Sequence, residues 1–399
     1  MFSYFNLDKT YQFLLIILSF LMPLTVFGAN LIIVTICLLW LFSGNYKSKF
    51  HDIVTNKLLL ASVLFFCLHV FGLIWTEDLN WGLHIVHKMW YFLLLFPILY
   101  TIVRKDDIKL YIFAFLFAIF ITVISSYLVW FELIEPFRFA TVTDPTPFMS
   151  RISYNPILAL AIYIVLHEVF FNKKLSNFLF SLYSFFSISM IINMFITGGR
   201  AGQVIFFVIL AILIFQVFNK QRLRSLIVIS ILIPGIFFSA YQTSWLFQKR
   251  VDLAVIEIAS YSDISSSAIG LRINFARNSW DVIKENLIIG VGTGDFPKEY
   301  KKINKINSPN LPDATNPHNM YILVLMQLGF LGLLSMLSIF YYQIKLSFNS
   351  PSKLIRDVGI TLPIMFLILM LSDSYLLGHY TSLMFVLFSS FLYKDFEKN

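Results

Sequence analysis

Along this chain the apolar residues come in long blocks separated by short polar stretches, and one polar stretch, residues 242–317, is far longer than the others. Blocks of roughly 17 to 25 apolar residues have the length an α-helix needs to cross a bilayer. Taking each run between charged or turn residues as one element predicts spans at 11–27, 30–42, 57–75, 89–103, 110–131 and 156–171 in the first half. The second half gives 175–196, 201–218, 226–241, 320–342, 358–371 and 375–393. That makes about twelve transmembrane helices, the second and eleventh short. The expected fold is therefore an all-α polytopic membrane protein, a single membrane domain over 1–399, with 242–317 as a large loop between helices nine and ten. Within that loop, 271–289 has helical spacing, with Leu271, Phe275, Ser279 and Val282 along one face. It reads as an amphipathic helix that stops at the turn-rich Gly290-Val291-Gly292-Thr293-Gly294.

Composition agrees, at 58% hydrophobic and 13% charged, with a mean hydropathy of +0.78. No soluble domain carries the net charge of +8, so it does not argue for nucleic acid. Its placement matters more. Lys9, Lys47, Lys49, Lys57, Arg104, Lys105, Lys109, Lys173, Lys174, Lys220, Arg222, Arg224, Lys345, Lys353, Arg356, Lys394 and Lys398 all fall on one side of the map. Positive residues near span ends resist translocation, so that side is expected to be the cytoplasm, with both termini on it and 242–317 outside. Few basic residues sit in the short loops opposite, chiefly Lys88, Arg138, Arg151 and Arg200, and each invites a functional explanation. The first apolar block follows one Lys and lacks a small-residue cleavage site, so it is expected to stay as a span. Cys37 and Cys67 lie inside apolar blocks and offer no disulfide or zinc spacing.

Three clusters offer chemistry. Asn316-Pro317-His318-Asn319 reads as a helix start, with Asn316 as N-cap and Pro317 first. The positive end of the helix dipole disfavours imidazolium there and keeps His318 available as a proton acceptor; the same place also suits a histidine that only decorates a helix end. Thr197-Gly198-Gly199-Arg200 is a tight turn whose glycines admit close backbone approach, whose next helix offers N–H groups, and whose Arg200 adds a fork for phosphate oxygens. Taken alone, the turn fits better an interfacial arginine snorkelling toward water beside a hairpin. Arg272, Arg277 and Arg151 would, around one cavity, hold a lipid-linked pyrophosphate, although singly each also fits a headgroup contact. Asp373, near the end of two late helices, has three readings: a partner for an arginine, an orienter for a base, or a loop residue.

Other patterns carry less. Gly290-x-Gly292-x-Gly294 follows no strand, which argues against a nucleotide loop, and His84 and His87 lack a third ligand. There is no Walker A loop and no Asp-x-Asp pair for a metal-bound sugar nucleotide, so no metal and no cofactor are expected. A transferase here would need a donor with its own leaving group, such as a polyprenyl pyrophosphate.

Thr197-x-x-Arg200-Ala201, Leu271-Arg272-x-x-Phe275, Gly290-Val291-Gly292-x-Gly294-x-Phe296 and His318-Asn319-x-Tyr321 followed by Gly329-Phe330-Leu331-Gly332 resemble, in order and spacing, the O-antigen ligase / O-antigen polymerase family. The resemblance is most specific over 197–334, with Arg151-Ile152-Ser153 a local echo upstream. It departs at Gly199, where relatives often carry Ser or another polar residue, and at Phe275, where Trp or Tyr is common. The resemblance implies a GT-C-like glycosyltransferase of the bacterial inner membrane with its site on the periplasmic face. It implies metal-independent, inverting transfer of a glycan from undecaprenyl pyrophosphate to a sugar hydroxyl, on lipid A core in lipopolysaccharide biosynthesis for a ligase, or on a lipid-linked glycan for a polymerase. Protein is a third acceptor within the family.

By position, the resemblance makes His318 the base and Arg200 and Arg272 the donor pyrophosphate ligands. Arg151 and Arg277 are added to these, and Asn319, Asp373, Gly199 and Tyr321 are supporting residues. The ligase reading leads, because a compact chain with one extended loop suits it. A transporter of lipid-linked sugars would also need arginines, but with charges at mid-membrane depth and broken helices in both halves. Here the candidates cluster at one face, with His69 and His167 as isolated exceptions. The expected partners are the lipid-linked glycan, its acceptor and membrane lipids.

Overall fold

Hydrocarbon offers no water to a backbone N–H or C=O, so an apolar chain satisfies these groups within helices. The structure, a computed structural model, describes residues 7–259 and 267–394; Lys398, both termini and residues 260–266 of the long polar segment lie outside the described residues. In chain order the helices are α1 (Leu7–Leu21), α2 (Val26–Phe42), α3 (Tyr46–Thr55), α4 (Lys57–Phe71), α5 (Leu79–Trp90), α6 (Phe96–Ile102), α7 (Ile108–Trp130), α8 (Arg151–Phe171) and α9 (Asn177–Ile196). They continue as α10 (Arg200–Val217), α11 (Arg222–Thr243), α12 (Trp245–Ala259), α13 (Ala268–Ile283), α14 (Phe296–Asn307), α15 (Met320–Phe348), α16 (Lys353–Leu369) and α17 (His379–Leu392).

Every apolar run of the sequence holds a helix, and no strand forms among the described residues. Among the described residues seven helical segments are long and apolar enough to cross a membrane, or eight if the bent pair α2–α3 is one span; α4 and α17 are shorter apolar helices. This is a polytopic membrane protein. One span is longer than the pattern indicated: Leu79–Ile102 runs through a π-helical turn at Tyr91–Leu95. That turn closes with Phe96 N–H donating to Tyr91 C=O, immediately before Pro97, which has no N–H to donate. The long polar segment holds three helices, α12 to α14, and α13 stops at Ile283.

The described residues form two compact units. The first comprises the chain up to Ile36, Arg104–Asp252 and Asn349–Met365. Here α8 and α10 lie close because glycines face asparagine: a Cβ on Gly199 would sit 2.5 Å from Asn155 Cγ, and one on Gly202 would sit 2.4 Å from Asn155 Cβ. Asn155 and Asn193 are fully buried. Thr197 Oγ1 donates to Asn155 Oδ1 (3.0 Å), Tyr154 to Asn193 Oδ1 (2.7 Å), and Asn193 Nδ2 to Ser126 Oγ (2.8 Å). Between apolar helices, close approach of small residues and shared hydrogen bonds supply the association that hydrophobicity cannot. His167 also finds a partner within this unit, with Nε2 3.0 Å from Asp357 Oδ2, which Lys353 approaches at 2.8 Å.

The second unit comprises Cys37–Val103, Leu253–Phe348 and the chain from Phe366. In it α4 packs on α15, and α15 is broken at Gly329 (φ 60°, ψ −158°). Residues 287–292 fill the break: Val291 N–H donates to Met326 C=O (2.9 Å), Gly292 N–H to Gln327 C=O (3.0 Å), and Phe330 N–H to Leu287 C=O (2.8 Å). The backbone groups freed by the kink are thus re-paired, which is what permits a broken helix inside a membrane protein. Gly290 and Gly329 are required there. Both have positive φ, and a Cβ on either would stand 2.3 Å from the facing backbone.

Candidate functional site

Asp295 anchors the scaffold beneath the site. Its carboxylate, 1% exposed, accepts from Thr76 Oγ1, Glu77 N and Asp78 N, each at 2.8 Å. It fixes the α4–α5 turn to the start of α14. From α14, Tyr300 meets Phe275 of α13 edge-on (5.5 Å, 86°), and Phe275 stacks on His318 (6.2 Å, 28°).

His318 does not stand inside the helix as the sequence suggested. The helix begins at Met320, and Asn319 is its cap, with Oδ1 accepting from Tyr321 N (3.0 Å) and Ile322 N (3.2 Å). Asn316 is otherwise engaged, since its Oδ1 accepts from His318 N (2.9 Å) and Ser374 Oγ (2.9 Å). This local ring turns His318 into the left-handed region (φ 51°), so its imidazole projects ahead of the helix N-terminus. Its Nδ1 lies 3.3 Å from Asp373 Oδ1, with the histidine side chain 44% exposed and the aspartate 20%.

Burial alone would raise the Asp373 pKa. Hydrogen bonds from His318 and from Ser374 N–H, together with the charges of His318 and Arg272, outweigh it and hold the carboxyl below the usual range. With Nδ1 on the side of Asp373, Nε2 of the imidazole faces away from it. The supporting residues are pins. Asn319 Nδ2 donates to Leu371 C=O (3.2 Å), Tyr321 hydroxyl to Leu367 C=O (2.6 Å), and Met320 N–H to Met370 C=O (2.9 Å). Together they hold the start of α15 against the segment that carries Asp373.

The two α13 arginines divide. Arg272, exposed in the first turns, bears on Asp373 and Tyr375. Arg277 bears on Asp281, whose carboxylate also accepts from Lys284 (2.8 Å) and Asn307 (2.8 Å).

The remaining candidates belong to the first unit. Gly198 N–H donates to Asp144 Oδ1 (3.0 Å), and Arg151 Nη1 pairs with Asp144 Oδ2 (2.6 Å). Asp144 was not singled out from sequence; its only local signal is the Thr141–Asp144 turn closed by a bridge. The turn that reads as an anion cradle thus carries an anion, the protein's own carboxylate. Gly199 is needed for packing, since a Cβ would lie 2.6 Å from Arg151 C=O. Arg200 opens α10 and is half-buried.

The structure therefore gathers His318, Asp373, Asn319, Tyr321 and Arg272 in the second unit, and Arg151, Gly199 and Arg200 around Asp144 in the first. Among the described residues no group of three His, Cys, Asp or Glu side chains could hold a metal ion. Residues 185–337 match the family model described as O-antigen ligase. This segment contains Gly199, Arg200, Arg272, Arg277, His318, Asn319 and Tyr321, while Arg151 and Asp373 lie outside it. No curated protein matches the chain.

Proposed function

We propose that this chain, whose residues 185–337 match the family model described as O-antigen ligase, is a ligase-type membrane enzyme that transfers a glycan from undecaprenyl pyrophosphate to a sugar hydroxyl of lipid A core. The observation that carries the reading is the His318–Asp373 contact at 3.3 Å, a base and its orienter at the head of a helix in the matched family's segment.

His318 Nε2 takes the proton of the acceptor hydroxyl as its oxygen attacks the anomeric carbon from the side opposite the leaving group. The bond from that carbon to the pyrophosphate oxygen breaks, its electron pair stays on the pyrophosphate, and the configuration inverts. Asp373 stabilises the imidazolium that forms. Arg272 offsets the charge growing on the leaving group, and Arg200 is the further donor ligand that the family resemblance implies. Arg277, engaged with Asp281, adds a more distant positive charge. No step calls for a metal. In this reading the reaction runs at the periplasmic face of the bacterial inner membrane.

The test is transfer in liposomes from purified undecaprenyl-pyrophosphate glycan to lipid A core, with EDTA throughout, comparing wild type, His318→Ala and Arg200→Ala. Glycosylated core from wild type alone supports the reading. Chain-lengthened donor would make the enzyme a polymerase, and donor crossing the bilayer without product would make it a transporter.

A further inference from the structure

α5 carries three ionisable side chains that the reaction above does not use. His84 and His87 are exposed and Lys88 is half-buried, and they share one side of the helix with the exposed Leu79 and Leu83. The charges bearing on His84 are those of Lys88 and His87, so the face has one sign. The basic residues of α14 differ in being neutralised within the protein, since Lys298 and Lys302 share Glu77 of the α4–α5 turn (2.8 and 3.3 Å).

The depth of this face sets it apart. Leu79–Ile102 is a 24-residue segment apolar enough to cross a membrane. It is about 36 Å long, against a hydrocarbon core of about 30 Å. The part beyond Lys88, residues 89–102, is only about 21 Å long and does not cross alone. The bilayer edge therefore reaches the turns that hold His84, His87 and Lys88. Ionisable groups at that depth ordinarily turn to a protein interior or a water-filled cavity, yet His84 and His87 turn outward. Trp81, whose ring lies 5.0 Å from that of His84 at 35°, suits the same interfacial level.

α5 is also built onto the candidate site. The Asp295 carboxylate holds the turn before it, and Gly82 comes so close to the next segment that a Cβ on it would stand 2.6 Å from Thr293 C=O. The helix packs against the 3₁₀ turn Tyr375–Leu377, which begins two residues after Asp373. Where α5 ends, the hydroxyl of Tyr91 lies 2.5 Å from His379 Nδ1. The cationic face thus belongs to the helix beside the segment that carries Asp373.

The geometry points to this face as the docking site for a phosphate group of the acceptor glycolipid. Two imidazole N–H donors and one ammonium offer hydrogen bonds and charge to phosphate oxygens, and Leu79 and Leu83 give its acyl chains an apolar flank. An acceptor anchored in the bilayer arrives sideways, and a phosphate clamp on a helix at the membrane edge holds it beside the site. The inference rests on the acceptor named above, lipid A core, a phosphorylated lipid, and adds what grips it.

The experiment measures binding of lipid A core, intact or with its phosphates removed, to the full-length protein in phosphatidylcholine nanodiscs. Wild type is expected to bind the intact lipid about tenfold more tightly than the stripped one, the size of one charge-assisted contact partly open to water. Changing His84→Gln, His87→Gln and Lys88→Gln together should abolish that difference by weakening the intact lipid alone, and Lys88→Arg should keep most of it. In transfer assays the triple variant should raise the acceptor KM by a similar factor. Wild-type binding indifferent to the phosphates, or a difference that survives in the triple variant, would overturn the site. So would phosphatidylglycerol competing as well as intact lipid A core, since any anionic headgroup would then do. Binding needs no turnover: a phosphate preference lost in the triple variant without any glycan transfer would remove the proposed reaction and keep the site, whereas transfer with no such preference would do the reverse.

Discussion

His318 Nδ1 lies 3.3 Å from Asp373 Oδ1 although 55 residues separate the two in the chain. The distance exceeds that of a tight charge-assisted bond, about 2.7–2.9 Å, and the histidine is 44% exposed. An ion pair this open contributes little stability, on the order of 0–1 kcal/mol. The pair therefore has its use in orienting the ring. In the proposed reaction this hydrogen bond tightens as substrate excludes water.

Asp373→Asn keeps the size of the side chain and removes the charge that selects the Nδ1–H tautomer. We expect kcat to fall about 100-fold with KM little changed, within the range a positioned base contributes. Steady-state kinetics with the reconstituted enzyme decide the matter: a change in KM alone would show that Asp373 serves binding.

The depressed pKa of Asp373 also makes a stability statement. Its folded-state value lies below the unfolded value of about 3.9, so the stabilisation is complete above that pH and is lost as pH falls through the folded value. Melting curves of wild type and Asp373→Asn should therefore differ by a small amount at neutral pH, and the difference should vanish as pH falls through the carboxyl's folded value. A gap independent of pH would mean that the ionised carboxylate is not what stabilises.

Arg272 bears on Asp373 through charge and in the proposed reaction faces the leaving group. Arg272→Ala is expected to lower kcat/KM about 10- to 100-fold, and Arg272→Lys to recover part, because it keeps the charge but not the planar fork. Full recovery by Lys would show that only the charge matters.

Much of this was readable in the sequence, and for one reason: a membrane forces long apolar runs, so α1, α2, α4, α7 to α11 and α15 to α17 announce themselves by length, whereas α3 lies between two predicted spans and α5 almost wholly before one. His318 and Asp373 could be named because each lies beside a span end. What sequence could not give was set by contacts between distant segments. Asn319 rather than Asn316 caps α15, because Asn316 is drawn to Ser374, 58 residues on. Asp144 was not singled out by the sequence, because its partner Gly198, whose N–H donates to it, lies 54 residues away. Gly290 and Gly292 suggested a stop for α13, and they do lie beyond it. Their reason, the broken backbone of α15 at Gly329, appears only once 287–292 and 326–331 lie side by side.

That crossing should be intolerant of a methyl group. Gly329→Ala places a Cβ 2.3 Å from Ile288 C=O at φ +60°, adding a backbone strain of order 1–3 kcal/mol to the overpacking cost. Gly235→Ala supplies the contrast, since its Cβ meets nothing within 4 Å, and removing a mid-helix glycine should stabilise by roughly 0.5–1 kcal/mol. Opposite shifts in melting temperature in detergent are expected; equal shifts would refute the knit as described.

Asp295 sets a stricter test of the same scaffold, because three donors converge on one buried carboxylate. Asp295→Ala strands Glu77 N–H and Asp78 N–H, while Thr76 Oγ1 keeps Thr293 C=O (2.9 Å), and each fully buried donor left unsatisfied costs about 1–3 kcal/mol, less where water reaches it. Asp295→Asn is the more informative change. Its Oδ1 can keep Thr76 and Asp78, but an NH₂ now faces the Glu77 N–H, donor against donor, so one bond is lost while the shape is kept. The expected order of melting temperature is wild type, then Asn, then Ala. Because Asp295 holds α14, and Tyr300 of α14 backs the Phe275 ring stacked on His318, the Asn variant should also lower kcat at temperatures where it is folded. Loss of stability with kcat intact would confine Asp295 to the scaffold and break the proposed line from the α4–α5 turn to the base.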